Sequence, residues 1–296
     1  MKLIDFMIVA EINGGIGNQL FQYASAKSLS LFHKTELKLN VNPFGDKFMP
    51  GELRSRPFDL HHFNIPEIPA DNSIGNSFLK VSFFQKILQN LKPNYKRKIY
   101  KEPFFHFDPH FFEAGNNIYL KGLRQSEKYF KLFETEIRTI LKFKDAIVNQ
   151  FYEIGKKINN ENSISVHIRR GDYLAKISME VLGLLPIEYY QNAISLMKSK
   201  VNTAKLYFFS DDIEWVKENF NIPDAEFISG SITSNHIEDL YLMSQCHHNI
   251  IANSSFSWWG AWLNNNPDKI VIAPGKWFNK GPKDTQDLVP PGWIKI

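Results

Sequence analysis

The run His167-Ile168-Arg169-Arg170-Gly171-Asp172 is the chain's densest piece of anion chemistry. A guanidinium presents a planar fork of donors and keeps its charge at every physiological pH, which suits phosphate oxygens. A second group, Asn253-Ser254-Ser255-Phe256, stands between an apolar run and a helical pattern. Backbone N–H groups at such a helix start lack intrahelical partners, and the helix dipole adds to their pull on an anion. Structural salt bridges would explain the arginine pair alone equally well. The two features on one rim would point to a phosphate or pyrophosphate.

Other chemistries find less support. Gly14-Gly15-Ile16-Gly17 opens like a dinucleotide fingerprint, but Leu20 stands where the third glycine belongs, and Leu37 to Val41 leads to Asn42 and Pro43 rather than an acid. A turn that lets a ligand approach closely fits better. No Asp-x-Asp motif occurs; Asp211 and Asp212 are adjacent, so on an extended strand they face opposite ways. Cys246-His247-His248 has no spaced partners for zinc. Ser254 and Ser255 are not in a Gly-x-Ser-x-Gly elbow, which leaves a hydrolase triad unsupported. Arg170-Gly171-Asp172 spells an adhesion tripeptide but directly follows a strand pattern that reads as buried.

The elements that must position these groups form a repeating α/β pattern. Met7 to Ile12 reads as a buried strand, Asn13 to Gly17 as a glycine turn, and Asn18 to Phe32 as a helix. That sequence of elements opens a doubly wound domain. Glu36 to Val41 and Asn117 to Gly122 are further strand candidates. Between them, residues 42–115 show no sustained period and read as loops and short helices suited to variable substrate contacts. Helices are expected over Ser126 to Asn159. A second series follows, with strands at Ser163 to Ile168, Leu206 to Phe209, Asn249 to Ala252 and Ile270 to Ile272. Helices are expected at Ile187 to Lys200, Ile213 to Phe220, His236 to Cys246 and Phe256 to Leu263. The first three strands of this series end in Arg169-Arg170-Gly171-Asp172, Ser210-Asp211-Asp212 and Asn253-Ser254-Ser255. Ligands of open parallel sheets sit beyond the carboxyl ends of the strands, so neighbouring strands would give these clusters one shared rim.

Composition bounds the class. At 296 residues the chain can hold two α/β domains, and 43% hydrophobic with 22% charged residues is ordinary for a globular protein. A net charge of +4 without a dense basic block argues against a nucleic-acid binder. The nearest basic group, Lys96-Arg97-Lys98 with Lys92 and flanked by Tyr95 and Tyr100, reads as a solvated loop or as a patch visiting anionic headgroups. One cysteine, Cys246, forbids an internal disulfide and favours a reducing compartment. Neither a signal peptide nor a run long enough to span a bilayer is present, which points to a cytoplasmic protein with a candidate peripheral membrane contact.

Four motifs in order resemble glycosyltransferase family 11, the alpha-1,2-fucosyltransferases, in its bacterial form. They are Gly14-Gly15-Ile16-Gly17-Asn18-Gln19-Leu20-Phe21-Gln22-Tyr23-Ala24, then His167 through Tyr173, then Phe208-Phe209-Ser210-Asp211-Asp212. The fourth runs from Asp239-Leu240 through Met243-Ser244-Gln245-Cys246 to Ala252-Asn253-Ser254-Ser255-Phe256-Ser257-Trp258-Trp259-Gly260-Ala261-Trp262-Leu263. The resemblance implies a GT-B-like α/β fold, two Rossmann-like domains facing a cleft. Residues 1–160 would form the acceptor-side domain and 161–296 the GDP-fucose-binding domain. It implies an inverting transfer of L-fucose to the 2-hydroxyl of a β-galactoside, with GDP-fucose as co-substrate, no resident cofactor and no metal.

Roles follow from the same resemblance. Arg169 would clamp the β-phosphate, His167 contact the nucleotide, and Asp239 read the guanine amino group. Asn253, Ser254, Ser255 and Phe256 would line the pyrophosphate, and Asn18 would reach in from the first domain. Asp172 would orient the arginines, with Arg170 structural. Glu11 and Asp172 are by position the candidates for taking the acceptor proton. A transferase for another nucleotide sugar, or a catalytically idle nucleotide- or carbohydrate-binding protein, are the alternatives; acceptor identity and oligomeric state stay open.

Overall fold

The computed structural model describes residues 6–41, 56–67, 69–70, 72–80 and 82–296. The chain divides into two compact units, residues 1–142 with 284–288 and residues 143–283 with 289–296.

The first unit is built on four parallel strands, β1 (Met7–Glu11), β2 (Glu36–Asn40), β3 (Ile99–Lys101) and β4 (Ile118–Lys121), in the order β2-β1-β4-β3. The glycine turn feeds helix α1 (Ile16–His33), which is buried on nearly every face by Leu20, Phe21, Tyr23, Ala24 and Leu29. Lys34 ends it in the left-handed region at φ 52°, its N–H returning to the carbonyls of Leu31 and Ser30. The irregular stretch contributes two short helices, α2 (Asn72–Leu79) and α3 (Phe83–Asn90), and the unforeseen strand β3. A three-residue strand shows no readable alternation. Residues 42–55 of that stretch lie outside the described residues.

The second unit holds six parallel strands: β5 (Ser163–Ile168), β6 (Lys205–Ser210), β7 (Glu226–Phe227), β8 (His248–Ile250), β9 (Val271–Ala273) and β10 (Ile294–Lys295). Their order, β10-β9-β8-β5-β6-β7, is the doubly wound dinucleotide-fold order read from the far edge. Strand order reverses between β5 and β8, which pair from Ile164↔His248 to Val166↔Ile250. All six positions of β5 are buried, the alternating Ser163, Ser165 and His167 included, because a central parallel strand is covered on both faces. Helices α4 (Asp145–Gln150) and α5 (Tyr152–Asn159) belong to this unit, although the sequence places residues 143–160 with the first domain. The reason is packing: Phe143 and Phe151 lie 5.3 and 6.5 Å from Tyr241 of α8 (His236–Gln245). Upstream, the helical expectation over 126–133 is met only by two 3-10 turns. Further helices are α6 (Ile187–Lys200), α7 (Ile213–Asn219) and α9 (Ser255–Leu263), and short helical turns also cover Lys176–Val181 in this unit and Glu134–Ile140 in the first.

Much of the tryptophan content is core. Trp258, Trp259 and Trp262 of α9 are buried, and a Cβ on Gly260 would stand 2.6 Å from Met243 Cε on α8. Glycine there lets the two helices approach closely. No helix among the described residues is long and apolar enough to cross a membrane.

Candidate active site

Strands β6, β5 and β8 are neighbours and parallel, so their three polar clusters do share one carboxyl-end rim. The rim is centred on Arg169. Its two terminal nitrogens are held by different carboxylates, Nη2 by Asp172 Oδ1 at 2.6 Å and Nη1 by Asp211 Oδ2 at 3.0 Å. Its Nε is buried with no partner among the described residues, and its guanidinium lies 5.6 Å from the Tyr173 ring centroid. A charge so braced is oriented before any ligand arrives, which is what preorganised electrostatic stabilisation requires.

Arg170 serves differently. It lies 3.7 Å over the Trp215 ring and donates from Nε to Asp212 Oδ2 at 3.1 Å. Its backbone N–H donates to Asp211 Oδ1 at 2.8 Å. The adjacent acids therefore divide the arginines between them, Asp211 bracing Arg169 and Asp212 anchoring Arg170 against α7. Gly171 makes this possible, because a Cβ there would fall 2.5 Å from Asp211 Oδ2.

His167, at the end of β5, is buried with its Nδ1 unpartnered among the described residues. Burial, reinforced by the Arg169 charge, pushes its pKa down to about 3, so the ring is neutral at physiological pH. It faces Phe256 of α9 at 5.1 Å, and Phe256 in turn lies 6.4 Å from His236 at the start of α8. Asp239, one turn into α8, accepts from the hydroxyls of Thr233 and Ser229, the latter at 2.8 Å. Burial nevertheless raises its carboxyl to about 6. Ser229 also accepts the N–H of Ser210 at 3.0 Å, tying Asp239 to the carboxyl end of β6.

The Asn253-Ser254-Ser255-Phe256 group splits in two. The Asn253 side chain is buried, its amide donating to the carbonyls of Leu182, Gly183 and Trp277 at 3.0 to 3.1 Å. Its own carbonyl accepts from the Tyr173 hydroxyl at 2.9 Å. Asn253 thus fixes the loop. Ser254 is the N-cap residue of α9 but makes no side-chain cap bond, so its hydroxyl does not occupy the first-turn N–H groups, which carry the positive end of the helix dipole. Ser255 and Phe256 open the helix.

Asn18, expected to join this group, lies in the first unit. There a second polar rim occupies the carboxyl ends of β1, β2 and β4. Asn18 Oδ1 accepts from Gln125 at 2.7 Å, Asn13 is held at both backbone and side chain by Gln22, and Gln19 bridges Gly14 and Asp59. Glu11 receives the Tyr119 hydroxyl and Lys121 Nζ, each at 3.0 Å. From sequence Asp211 entered only as a member of a rim cluster and Tyr173 only within a motif, neither with a role, and Ser229 and Thr233 were not singled out. Ser229 stands two positions past the end of β7, a signal too faint to read because that strand has only two residues.

A braced arginine and a helix start on one rim, at the switch point of a doubly wound sheet, make an arrangement suited to a phosphate-bearing ligand. Among the described residues no group of three or more His, Cys, Asp or Glu is placed to hold a metal ion. Residues 7–296 match the Glycosyl transferase family 11 profile, and the chain belongs to that family of glycosyltransferases. It is 33% identical to an alpha-1,2-colitosyltransferase of Escherichia coli, over 98% of this chain and 99% of the relative. It is 30% identical to the O-antigen biosynthesis glycosyltransferase WbnK of Escherichia coli, over 96% and 99% of the two chains. Arabidopsis thaliana FUT1, solved in complex with GDP, shares the GT-B-like fold with a TM-score of 0.52 at 12% identity, over 90% of this chain and 69% of that one.

Proposed function

We propose that the enzyme transfers L-fucose from GDP-β-L-fucose, with inversion, to the 2-hydroxyl of a terminal β-galactoside in an O-antigen unit or oligosaccharide. The observation that carries this reading is the doubly braced Arg169 beside the start of α9 in a family 11 chain. Arg169 and the first N–H groups of α9 would hold the diphosphate. Asp239 would accept from the guanine N–H groups, and His167 would contact the nucleotide. As the sugar–phosphate bond lengthens, Arg169 stabilises the charge growing on the departing oxygen and the sugar carbon becomes oxocarbenium-like.

The acceptor would be met by the polar rim of the first unit, where Asn18, Asn13 and Glu11 lie. Asp172 is a poor candidate for the proton acceptor because Arg169 already holds its carboxylate. Glu11 is paired too, with Lys121 and Tyr119. We place the enzyme in the cytoplasm, where nucleotide sugars are made.

One relative transfers colitose, and colitose is L-fucose without its 3-hydroxyl. GDP-colitose is accordingly the second donor to consider. The test is GDP release from each donor, with and without a panel of β-galactosides, in buffer containing EDTA. Release from GDP-fucose that depends on a β-galactoside supports the proposal. Release only from GDP-colitose moves the assignment to that sugar, and donor binding with no release under any acceptor overturns the transferase reading for galactosides.

A further inference from the structure

Helix α3 presents an apolar stripe outward. Phe84, Ile87, Leu88 and Leu91 are 77, 45, 60 and 78% exposed, and their spacing of i, i+3, i+4 and i+7 puts them along one face. Leu91 continues the helical turn through its N–H to the Ile87 carbonyl at 3.2 Å. Scattered single apolar residues on a surface are normal, but four in one stripe are a contact face.

The charge around the stripe is one-sided. Residues 72–101 contain seven lysines and arginines and no acid. The whole chain is net +4, so everything outside that segment is net −3. The basic run is stitched to the helix end: the Lys98 N–H donates to Gln89 Oε1 at 2.9 Å, and Arg97 donates to the carbonyls of Lys92 and Asn90 at 2.8 and 3.1 Å. Lys80, Lys92, Lys96 and Lys98 remain exposed beside the stripe.

We propose that α3 and the adjoining run through Lys98 seat the enzyme on an anionic lipid bilayer, the apolar stripe at the acyl boundary and the lysines among the headgroups. An in-plane helix with an apolar face and basic flanks binds in this way. A second copy of the chain is a worse occupant, since a two-fold contact would set the same basic residues face to face. A nucleic acid would leave the apolar stripe unsatisfied. The proposal does not depend on which sugar is transferred.

The experiment is vesicle flotation of the full chain with phosphatidylcholine alone and with about one-third phosphatidylglycerol, the anionic fraction supplying the surface potential. The chain is expected to float with the anionic vesicles, weakly with the neutral ones, and to be released by high salt. Each lysine near the surface contributes about 1 kcal/mol, so Lys92→Glu with Lys96→Glu and Lys98→Glu should weaken partitioning by roughly 100-fold or more. Phe84→Ser with Leu88→Ser and Leu91→Ser should abolish flotation, and both triple variants should keep activity on a soluble acceptor. Absence of flotation, or flotation indifferent to both variants, would overturn the proposal. So would a dimer in sedimentation equilibrium that the serine variant dissolves while vesicles bind nothing, which would assign the face to a second copy.

Discussion

The carboxyl of Asp239 offers a sharp test of the donor site, because its ionisation should gate recognition of guanine. With its pKa raised by burial to about 6, about nine-tenths of the carboxylate is ionised at pH 7 and about one-tenth at pH 5, which predicts a roughly tenfold loss of donor affinity between them. Thr233→Val removes one of the two hydroxyls that favour the charged form. A hydrogen bond to a charged group is worth about 1.5–3 kcal/mol, or one to two pH units. The break should therefore move to about pH 7–8, and affinity at pH 7 should fall about twofold to tenfold. Isothermal titration with GDP-fucose, without acceptor, reads this directly, and its diphosphate diester has no ionisation of its own in that range. Asp239→Asn should bind weakly and without pH dependence. Affinity that stays flat from pH 5 to 7 in the parent, or a Thr233→Val break displaced to lower pH, would refute the reasoning.

Arg169→Ala should lower kcat/KM by roughly 30- to 5,000-fold, the range for losing a desolvated charge contact, and Arg169→Lys should recover little because one ammonium cannot meet Asp172, Asp211 and a phosphate together; near-normal turnover by the alanine variant would remove Arg169 from the mechanism. Gly171→Ala should push Asp211 away and cost about tenfold to 100-fold in kcat/KM, with the melting temperature little changed. Asn253→Ala strips three carbonyls of their donor and should destabilise by about 2–4 kcal/mol, read as a fall in thermal midpoint before any change in donor affinity per folded molecule. His167 should add an acid liability: its folded pKa lies below the unfolded value, so stability is intact above about 6.5 and declines by about 1.4 kcal/mol per pH unit below it, toward 3. Thermal unfolding of the parent against His167→Gln across that window checks the slope.

The longer strands and helices of the second unit were legible because they are long enough to show a pattern: β5 alternates Ile and Val with small or polar residues over six positions, and α6 is bounded where the sequence puts it. Strands β3, β7 and β10 have two or three residues, too few for a period to show. The rim was legible from Arg169, Ser254 and Asp239. Its bracing was not, since Asp211 lies 42 residues from Arg169 in sequence and Ser229 and Thr233 reach Asp239 only through the turn that precedes α8. Asn253 shows the converse limit. Its type suits ligand binding as well as loop anchoring, and only the three carbonyls around its amide distinguish them.

The short return of residues 284–288 to the first unit matters for anyone who would cut or recombine this protein. Asp284 and Asp287 accept the N–H groups of Phe105 and Phe107, and Asp287 also pairs with Lys128 at 2.5 Å. The polypeptide crosses from one unit to the other three times, near residues 142, 283 and 288. A chimera that exchanges N-terminal halves between relatives at a single junction would orphan those two backbone N–H groups and leave Lys128 without its carboxylate. Exchanging the first unit intact demands three splice points, with the pentapeptide travelling alongside the N-terminal half.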